Sequence, residues 1–127
     1  MSLRLYCRQR WPELAQLIGC YFHEDFIDDY GSPEGAIDAM LHGVPEQNEP
    51  PRSTKSLRQG LRELEEFIEF AREYLRKHPE EEEDVVLDMF GCRYNTYADG
   101  FTPLQWLEHL RKRIREHLEK IGELDAK

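Results

Sequence analysis

The sequence predicts an all-α fold: one domain over residues 1–127, built as a bundle of about five helices. Apolar residues recur at alternating steps of three and four along several segments, which is typical of helices with one buried face. Helix-start signals stand directly before those segments, most clearly Ser32-Pro33-Glu34 and Thr102-Pro103. The stretch 92–101 is expected to form either a short hairpin or an irregular loop, because it holds too little strand-like sequence for a sheet.

The first two helices lie in the N-terminal third of the chain. The first opens at Pro12, because the missing N–H of a proline would be unpaired in the first turn anyway, and should end near Tyr21 or Phe22. Its apolar face comprises Leu14, Leu17, Ile18 and Tyr21. The second helix starts after Ser32 as its N-cap and closes at Gly43, before a polar, proline-rich loop.

The longest helix is predicted from about residue 54 to residue 78. Its apolar stripe comprises Leu57, Leu61, Leu64, Ile68, Ala71 and Leu75. Gly60 weakens it by about 1 kcal/mol relative to alanine. Five consecutive acids, residues 80–84, are expected to begin a short helix that Gly91 caps, since acids favour the positive end of the helix dipole. The capping-box pattern of Thr102 and Gln105 opens the last helix, which should stop near Gly122.

The charge of the chain excludes several classes of partner. There are 26 acids and 17 bases, a formal net charge of −9. Nucleic acid is not expected as a direct partner, because its phosphates bind through cations, and an anionic membrane surface is disfavoured on the same ground. The negative charge lies in two blocks: residues 1–51 hold three bases and nine acids, and residues 79–101 hold one base and seven acids. Such charge favours a basic protein partner.

The cysteines and the hydropathy indicate a cellular compartment. Cys7, Cys20 and Cys92 are an odd set without C-x-x-C spacing, so they are expected to be reduced, buried thiols. The first eight residues are too polar for a signal peptide. No apolar run approaches the ~20 residues that span a bilayer. The expected location is therefore the cytoplasm.

Residues 21–30 combine four aromatics, one histidine and four carboxylates, and are the first candidate for function. One hypothesis is a small metal-dependent hydrolase centred on His23 and Asp25. A carboxylate that works as an acid or base needs an apolar pocket, and Asp25 between Phe22 and Phe26 fits that description.

Several missing patterns argue against that hydrolase. The sequence has no His-Glu-x-x-His, no paired Glu-x-x-His set and no EF-hand spacing. Cys20 lies near His23 but has no glycine-rich elbow around it. We therefore predict no catalytic residue, no metal site and no cofactor.

Three blocks of sequence, taken in order, indicate a family. Residues 17–26 read Leu-Ile-Gly-Cys-Tyr-Phe-His-Glu-Asp-Phe, residues 31–37 read Gly-Ser-Pro-Glu-Gly-Ala-Ile, and residues 99–107 read Asp-Gly-Phe-Thr-Pro-Leu-Gln-Trp-Leu. Their order and spacing resemble the contact-dependent growth inhibition immunity proteins of the small helical CdiI type, over roughly residues 11–121. The resemblance implies a cytoplasmic protein without enzymatic activity. Such a protein binds and neutralises one cognate toxin C-terminal domain, which neighbouring bacteria deliver and which is often a nuclease.

The resemblance also divides the candidate site residues into two sets. The residues that match the shared signature are interpreted as structural: Tyr21, Phe22, His23, Asp25 and Trp106. The residues that depart from it, or could anchor an interface, are candidates for binding the toxin: Asp28, Asp29, Tyr30, Glu80, Glu81, Glu82, Glu83, Asp84 and Tyr97. In this hypothesis an acidic surface occludes the active site of a basic toxin. A helical adaptor protein with no toxin connection is a further alternative.

Overall fold

Helices account for nearly all the regular structure of the described residues. The computed structural model describes residues 2–23, 25–92 and 94–124. Its α-helices are α1 (Leu3–Arg10), α2 (Pro12–Tyr21), α3 (Phe26–Tyr30), α4 (Pro33–His42), α5 (Thr54–Lys77), α6 (Val85–Asp88) and α7 (Pro103–Lys120). Short 3-10 helices cover Pro45–Gln47 and Thr96–Asp99. The described part of the chain contains no strand, only an isolated antiparallel bridge between Val44 and Glu49. The all-α prediction is confirmed.

The strongest sequence signals mark real helix ends. The Ser32 hydroxyl accepts a hydrogen bond from the Gly35 backbone N–H at 2.9 Å, which caps α4. At the start of α7 the Thr102 hydroxyl accepts from the Gln105 N–H at 3.2 Å, and the Gln105 side chain accepts in return at 3.0 Å. This reciprocal pair is the predicted capping box. The bounds of α2, α4, α5 and α7 follow the prediction closely.

Two helices were not predicted from the sequence, and one was placed wrongly. The first unpredicted helix, α1, buries only Cys7 completely, so no apolar period reveals it. The second, α3, has five residues, too few for a period to show. The prediction that residues 80–84 begin a helix is wrong, because α6 begins at Val85 and the acids precede it in turns. The described residues of the stretch 92–101, Cys92 and residues 94–101, contain a 3-10 turn and form the irregular loop, not the hairpin.

The core is centred on α5, which packs against α7 on one side and α2 on another. The largest fully buried side chains are aromatic and come from four different segments: Trp11, Phe22, Phe67 and Trp106. Helix α2 comes close to α5 at Gly60, where an added Cβ would lie 2.3 Å from the Leu17 Cδ1. Gly60 therefore permits a close helix crossing.

The N-terminus of α2 is capped by a residue distant in sequence. Its N-cap residue is Trp11, which makes no side-chain cap hydrogen bond. Instead the buried Glu63 carboxylate of α5 accepts from the Leu14 backbone N–H at 3.1 Å. The same carboxylate accepts from the Gln59 side-chain amide at 2.7 Å. An unpaired N–H at the helix start is thus satisfied by tertiary structure.

Candidate partner-binding surface

The aromatic residues of the Tyr21–Tyr30 stretch lie mainly in the core. Tyr21, Phe22 and Phe26 are buried. The Phe22 ring packs edge-on against Trp106, with 4.8 Å between ring centroids. It also packs against Phe26 and Tyr94, and the Tyr94 ring contacts Phe26 at 5.8 Å between centroids. These side chains join the end of α2, α3, Tyr94 and α7 into one hydrophobic cluster.

His23 makes two contacts with its own chain. The ring Nδ1 accepts a hydrogen bond from the Asp25 backbone N–H at 3.1 Å. The ring Nε2 lies 3.2 Å from the Asp29 Oδ2. Because Nδ1 accepts, a neutral ring carries its proton on Nε2 and donates it to Asp29. The carboxylate that holds His23 therefore belongs to Asp29 and not to Asp25.

Asp25 does not occupy the apolar pocket that the hydrolase hypothesis required. It is exposed, and its side chain makes no cap hydrogen bond to α3. The apolar surroundings that acid–base catalysis by this carboxyl group would require are therefore missing. Among the residues that the structure describes, no group of three His, Cys, Asp or Glu side chains could hold a metal ion.

Tyr30, a candidate for the interface, is half-buried. Its hydroxyl donates to the Glu49 Oε1 at 3.1 Å, and its ring lies 5.7 Å from that of Tyr21. Burial and the nearby Glu49 charge raise the pKa of Tyr30. The side chain thus ties α3 to the loop after α4. Its neighbours on α3, Ile27 and Asp28, are exposed, and Ile27 is 49% exposed.

Tyr97 and the acids around residue 84 are brought together, although thirteen residues separate Tyr97 from Asp84. Tyr97 is 52% exposed. Its pKa is raised by partial desolvation and by the negative charges of Asp84, Glu83 and Glu82. A cavity of about 260 Å³ lies between α6 on one side and Cys92 and residues 94–97 on the other.

Tyr94 connects this region to α3. Its hydroxyl donates to the Asp99 carboxylate at 2.6 Å, while its ring packs on Phe26. The Tyr94–Phe26 contact thus joins α3 to the segment that leads to Tyr97. We use the name acidic surface for Asp25 and Asp28 together with residues 81–84 and Asp88.

Acids elsewhere in the described structure are largely neutralised by neighbouring bases. On α4, Asp38 pairs with Arg113 at 2.7 Å, and Glu34 contacts both Arg113 and His109. On α5 and α7, Glu65 pairs with Arg111 at 2.9 Å and Glu108 pairs with Arg72 at 2.8 Å.

The acidic surface differs from those helices. No ion pair between described residues involves its carboxylates. Glu80, just before it, contacts the His78 ring at 3.3 Å. Carboxylates that have no basic partner among the described residues therefore lie beside Tyr97.

The cysteines differ in exposure. Cys7 and Cys92 are buried, and burial raises the pKa of each thiol to about 11. Cys20 is exposed, so the expectation that all three thiols are buried is wrong. The cause is the helix face: the buried side of α2 is formed by Leu14, Leu17, Ile18 and Tyr21.

None of the described helices is both long and apolar enough to cross a membrane.

Sequence reasoning missed three residues that matter, two of them in this region and one on α5. Ile27 is an isolated apolar residue among acids, and Thr96 is a buried hydroxyl in a loop. Glu63 is a buried acid inside an apolar stripe. The sequence gives one indication that Glu63 is buried: it lies between Leu61 and Leu64, which both belong to the apolar stripe of α5.

Comparison with known proteins gives one match. A family model described as CdiI immunity protein matches residues 10–114 of this chain. Neither the curated proteins nor the solved structures provide a match.

Proposed function

The chain belongs to the CdiI immunity protein family, and on that premise we propose that its acidic surface binds a cognate toxin domain and covers the active site. The toxin would be basic, and a nuclease fits best. The protein would act in the cytoplasm by binding alone, without catalysis. The observation that supports this proposal is that the carboxylates of residues 82–84 lie beside the exposed Tyr97 and pair with no base among the residues that the structure describes.

The chemistry of a nuclease explains why such a surface would inhibit it. A nuclease binds its substrate through cations that line the active-site groove, because nucleic-acid phosphates are anionic. A protein surface rich in carboxylates competes for the same cations. Once the surface is seated, the groove is closed to substrate.

The two kinds of side chain would contribute differently to binding. Exposed carboxylates attract a basic partner at long range and raise the association rate more than they lower the dissociation rate. Apolar anchors in the middle of an interface contribute most of the affinity, and tyrosine is common among them. Tyr97 would be such an anchor, and Ile27 on α3 is a second exposed apolar side chain that could serve in the same way.

Two pairs of substitutions test this proposal against a matched control. The test pair is Glu81→Gln with Glu82→Gln, and the control pair is Glu69→Gln with Glu73→Gln on α5. Both pairs remove two exposed charges, but the control carboxylates already have arginine partners, Arg72 for Glu69 and Arg76 for Glu73. We expect only the test pair to weaken toxin binding, by about tenfold at low salt.

The measurement is the affinity for the toxin C-terminal domain encoded directly upstream, followed by calorimetry from low to high salt. Salt should weaken binding of the wild-type chain and should weaken the test variant less. Protection of growth in cells that express the toxin is a second readout. Equal affinity and equal salt dependence for the wild-type chain and the test variant would show that the acidic surface is not the binding site.

A further inference from the structure

Helices α4 and α7 run side by side in the same direction, joined by pairs of residues that are 75 positions apart in sequence. Glu34 on α4 contacts His109 on α7 at 2.6 Å. One helical turn further along both helices, Asp38 pairs with Arg113 at 2.7 Å. Each of these pairs places an acid on α4 opposite a base on α7, so charge favours the contact between the two helices.

The third pair of this series breaks the pattern. One further turn along, His42 lies against His117, and the two rings meet edge to face with 5.1 Å between their centroids. The other three histidines of the chain each contact a carboxylate, at Asp29, Glu34 or Glu80. His42 and His117 contact no carboxylate among the described residues. Two imidazoles therefore face each other where the preceding pairs join an acid to a base.

The separation of the two rings matches that of two imidazoles bound to one metal ion. A zinc ion lies about 2.0–2.1 Å from each ligating nitrogen and holds its ligands at tetrahedral angles. The centre of each ring is then roughly 3.2 Å from the ion, and the centres of two such rings are about 5.2 Å apart. The observed distance of 5.1 Å therefore lets both rings reach one ion by rotation about their side-chain bonds, while the helices stay in place.

The position of the pair in the fold also favours a cation. Both histidines lie in the last turn of their helices, α4 and α7. The carbonyl groups at a helix C-terminus carry partial negative charge, and here two such ends lie beside each other. His42 is exposed and His117 is half-buried, so an ion can reach them from solvent. Lys120 lies near His117 and its charge opposes a cation, but its side chain is exposed and can turn away.

We propose that His42 and His117 together bind one divalent transition-metal ion such as Zn²⁺. Imidazole nitrogen suits Zn²⁺, Cu²⁺ and Ni²⁺, whereas Mg²⁺ and Ca²⁺ prefer oxygen ligands. Water fills the remaining positions, because the described residues offer no third His, Cys, Asp or Glu ligand. The bound ion holds α4 and α7 together at the pair where no acid–base contact does so. The two histidines are far apart in sequence, and the prediction of no metal site depended on ligand motifs, which they do not form.

Zinc binding is measured on the free protein, after dialysis against a chelator, by calorimetry and by NMR of the histidine ring signals. We expect one Zn²⁺ per chain, with saturable shifts at the His42 and His117 rings and a higher Tm when Zn²⁺ is bound. Mg²⁺ at the same concentration should cause neither effect. His117→Gln should weaken Zn²⁺ binding by at least about tenfold, since losing a direct ligand costs no less than losing a residue that only orients one.

His42→Phe separates metal binding from the packing of the rings. Phenylalanine keeps an aromatic ring against His117 but has no ring nitrogen, so the metal-free Tm should stay near that of the wild-type chain while the response to Zn²⁺ is lost. His78→Gln is the matched control, because it removes a histidine that contacts Glu80 instead of a second histidine. This control should bind Zn²⁺ as the wild-type chain does.

Two results would overturn the metal site: a wild-type chain whose His42 and His117 ring signals do not shift with Zn²⁺, or a His42→Phe variant that binds Zn²⁺ as tightly as the wild-type chain. Loss of binding in the His78→Gln control would likewise move the site elsewhere. Neither histidine belongs to the acidic surface, so these outcomes leave the proposed function untouched.

Discussion

Removing the Glu63 carboxylate should destabilise the fold, although the residue lies far from the acidic surface. Glu63 is 5% exposed, and one of its oxygens accepts from the Leu14 N–H at 3.1 Å. The other oxygen accepts from the Gln59 side chain at 2.7 Å. Trp11, at the N-cap of α2, makes no side-chain cap hydrogen bond, so Glu63 performs that role.

The size of the effect follows from these contacts. Glu63→Gln preserves the volume but removes the charge, so a charge-assisted hydrogen bond becomes a neutral one and the favourable interaction with the α2 dipole is lost. Together these changes cost about 1–2 kcal/mol. Glu63→Ala leaves the N–H of the fully buried Leu14 without a partner and adds lost packing, which raises the cost to about 2–4 kcal/mol.

Urea unfolding followed by circular dichroism measures both variants. Glu66→Gln is the control, because Glu66 lies on the same helix and is exposed, with one long contact to the Trp11 indole at 3.4 Å. It should change the free energy of unfolding by less than about 0.5 kcal/mol. Faster hydrogen exchange at the Leu14 amide should accompany the Glu63 variants. If both Glu63 variants match the control, the capping role is refuted.

Three further predictions follow from burial. Gly19→Ala should stabilise the chain by up to about 1 kcal/mol. Gly60→Ala should destabilise it by up to about 2 kcal/mol, because overpacking exceeds the gain in helix propensity. Thermal unfolding should therefore show a higher Tm for the first variant and a lower Tm for the second. Burial, with His42 and Lys120 nearby, lowers the pKa of His117. At this position the unfolded chain takes up a proton at higher pH than the folded chain does. The free energy of unfolding should therefore fall as the pH drops below about 6.5. Urea titrations at pH 7 and pH 5 measure that fall, and His117→Gln should reduce it. A thiol reagent should modify Cys20 in the native protein and the two buried thiols only after unfolding, and three equally reactive thiols would contradict the structure.

The sequence predicted helices where local signals were strong. Proline at the first helical position, a hydroxyl N-cap and an apolar stripe act within a few residues, so they can be recognised without the rest of the chain. Helices α2, α4, α5 and α7 all carry such signals. Helices α1 and α3 do not, because short elements with few buried side chains show no period.

The candidate site was predicted less completely. Several candidate residues are exposed, in agreement with their assignment to the surface: Asp28, the acids near residue 82 and Tyr97. Their role in binding stays a prediction. The Tyr30 hydroxyl hydrogen-bonds Glu49, and the His23 ring contacts Asp29. Sequence spacing does not reveal either contact. The cavity at Thr96 depends on how a loop folds back over α6.

The sequence by itself determined the all-α class, the ends of the main helices, the excess of acids and the resemblance to immunity proteins. These properties depend on composition and on neighbours three or four residues apart. Only the tertiary structure decided which acids are neutralised, that Glu63 caps α2, and that Tyr97 lies beside Asp84. Such contacts join residues far apart in the chain, and packing of the core, through Tyr94 against Phe26 among others, brings them together.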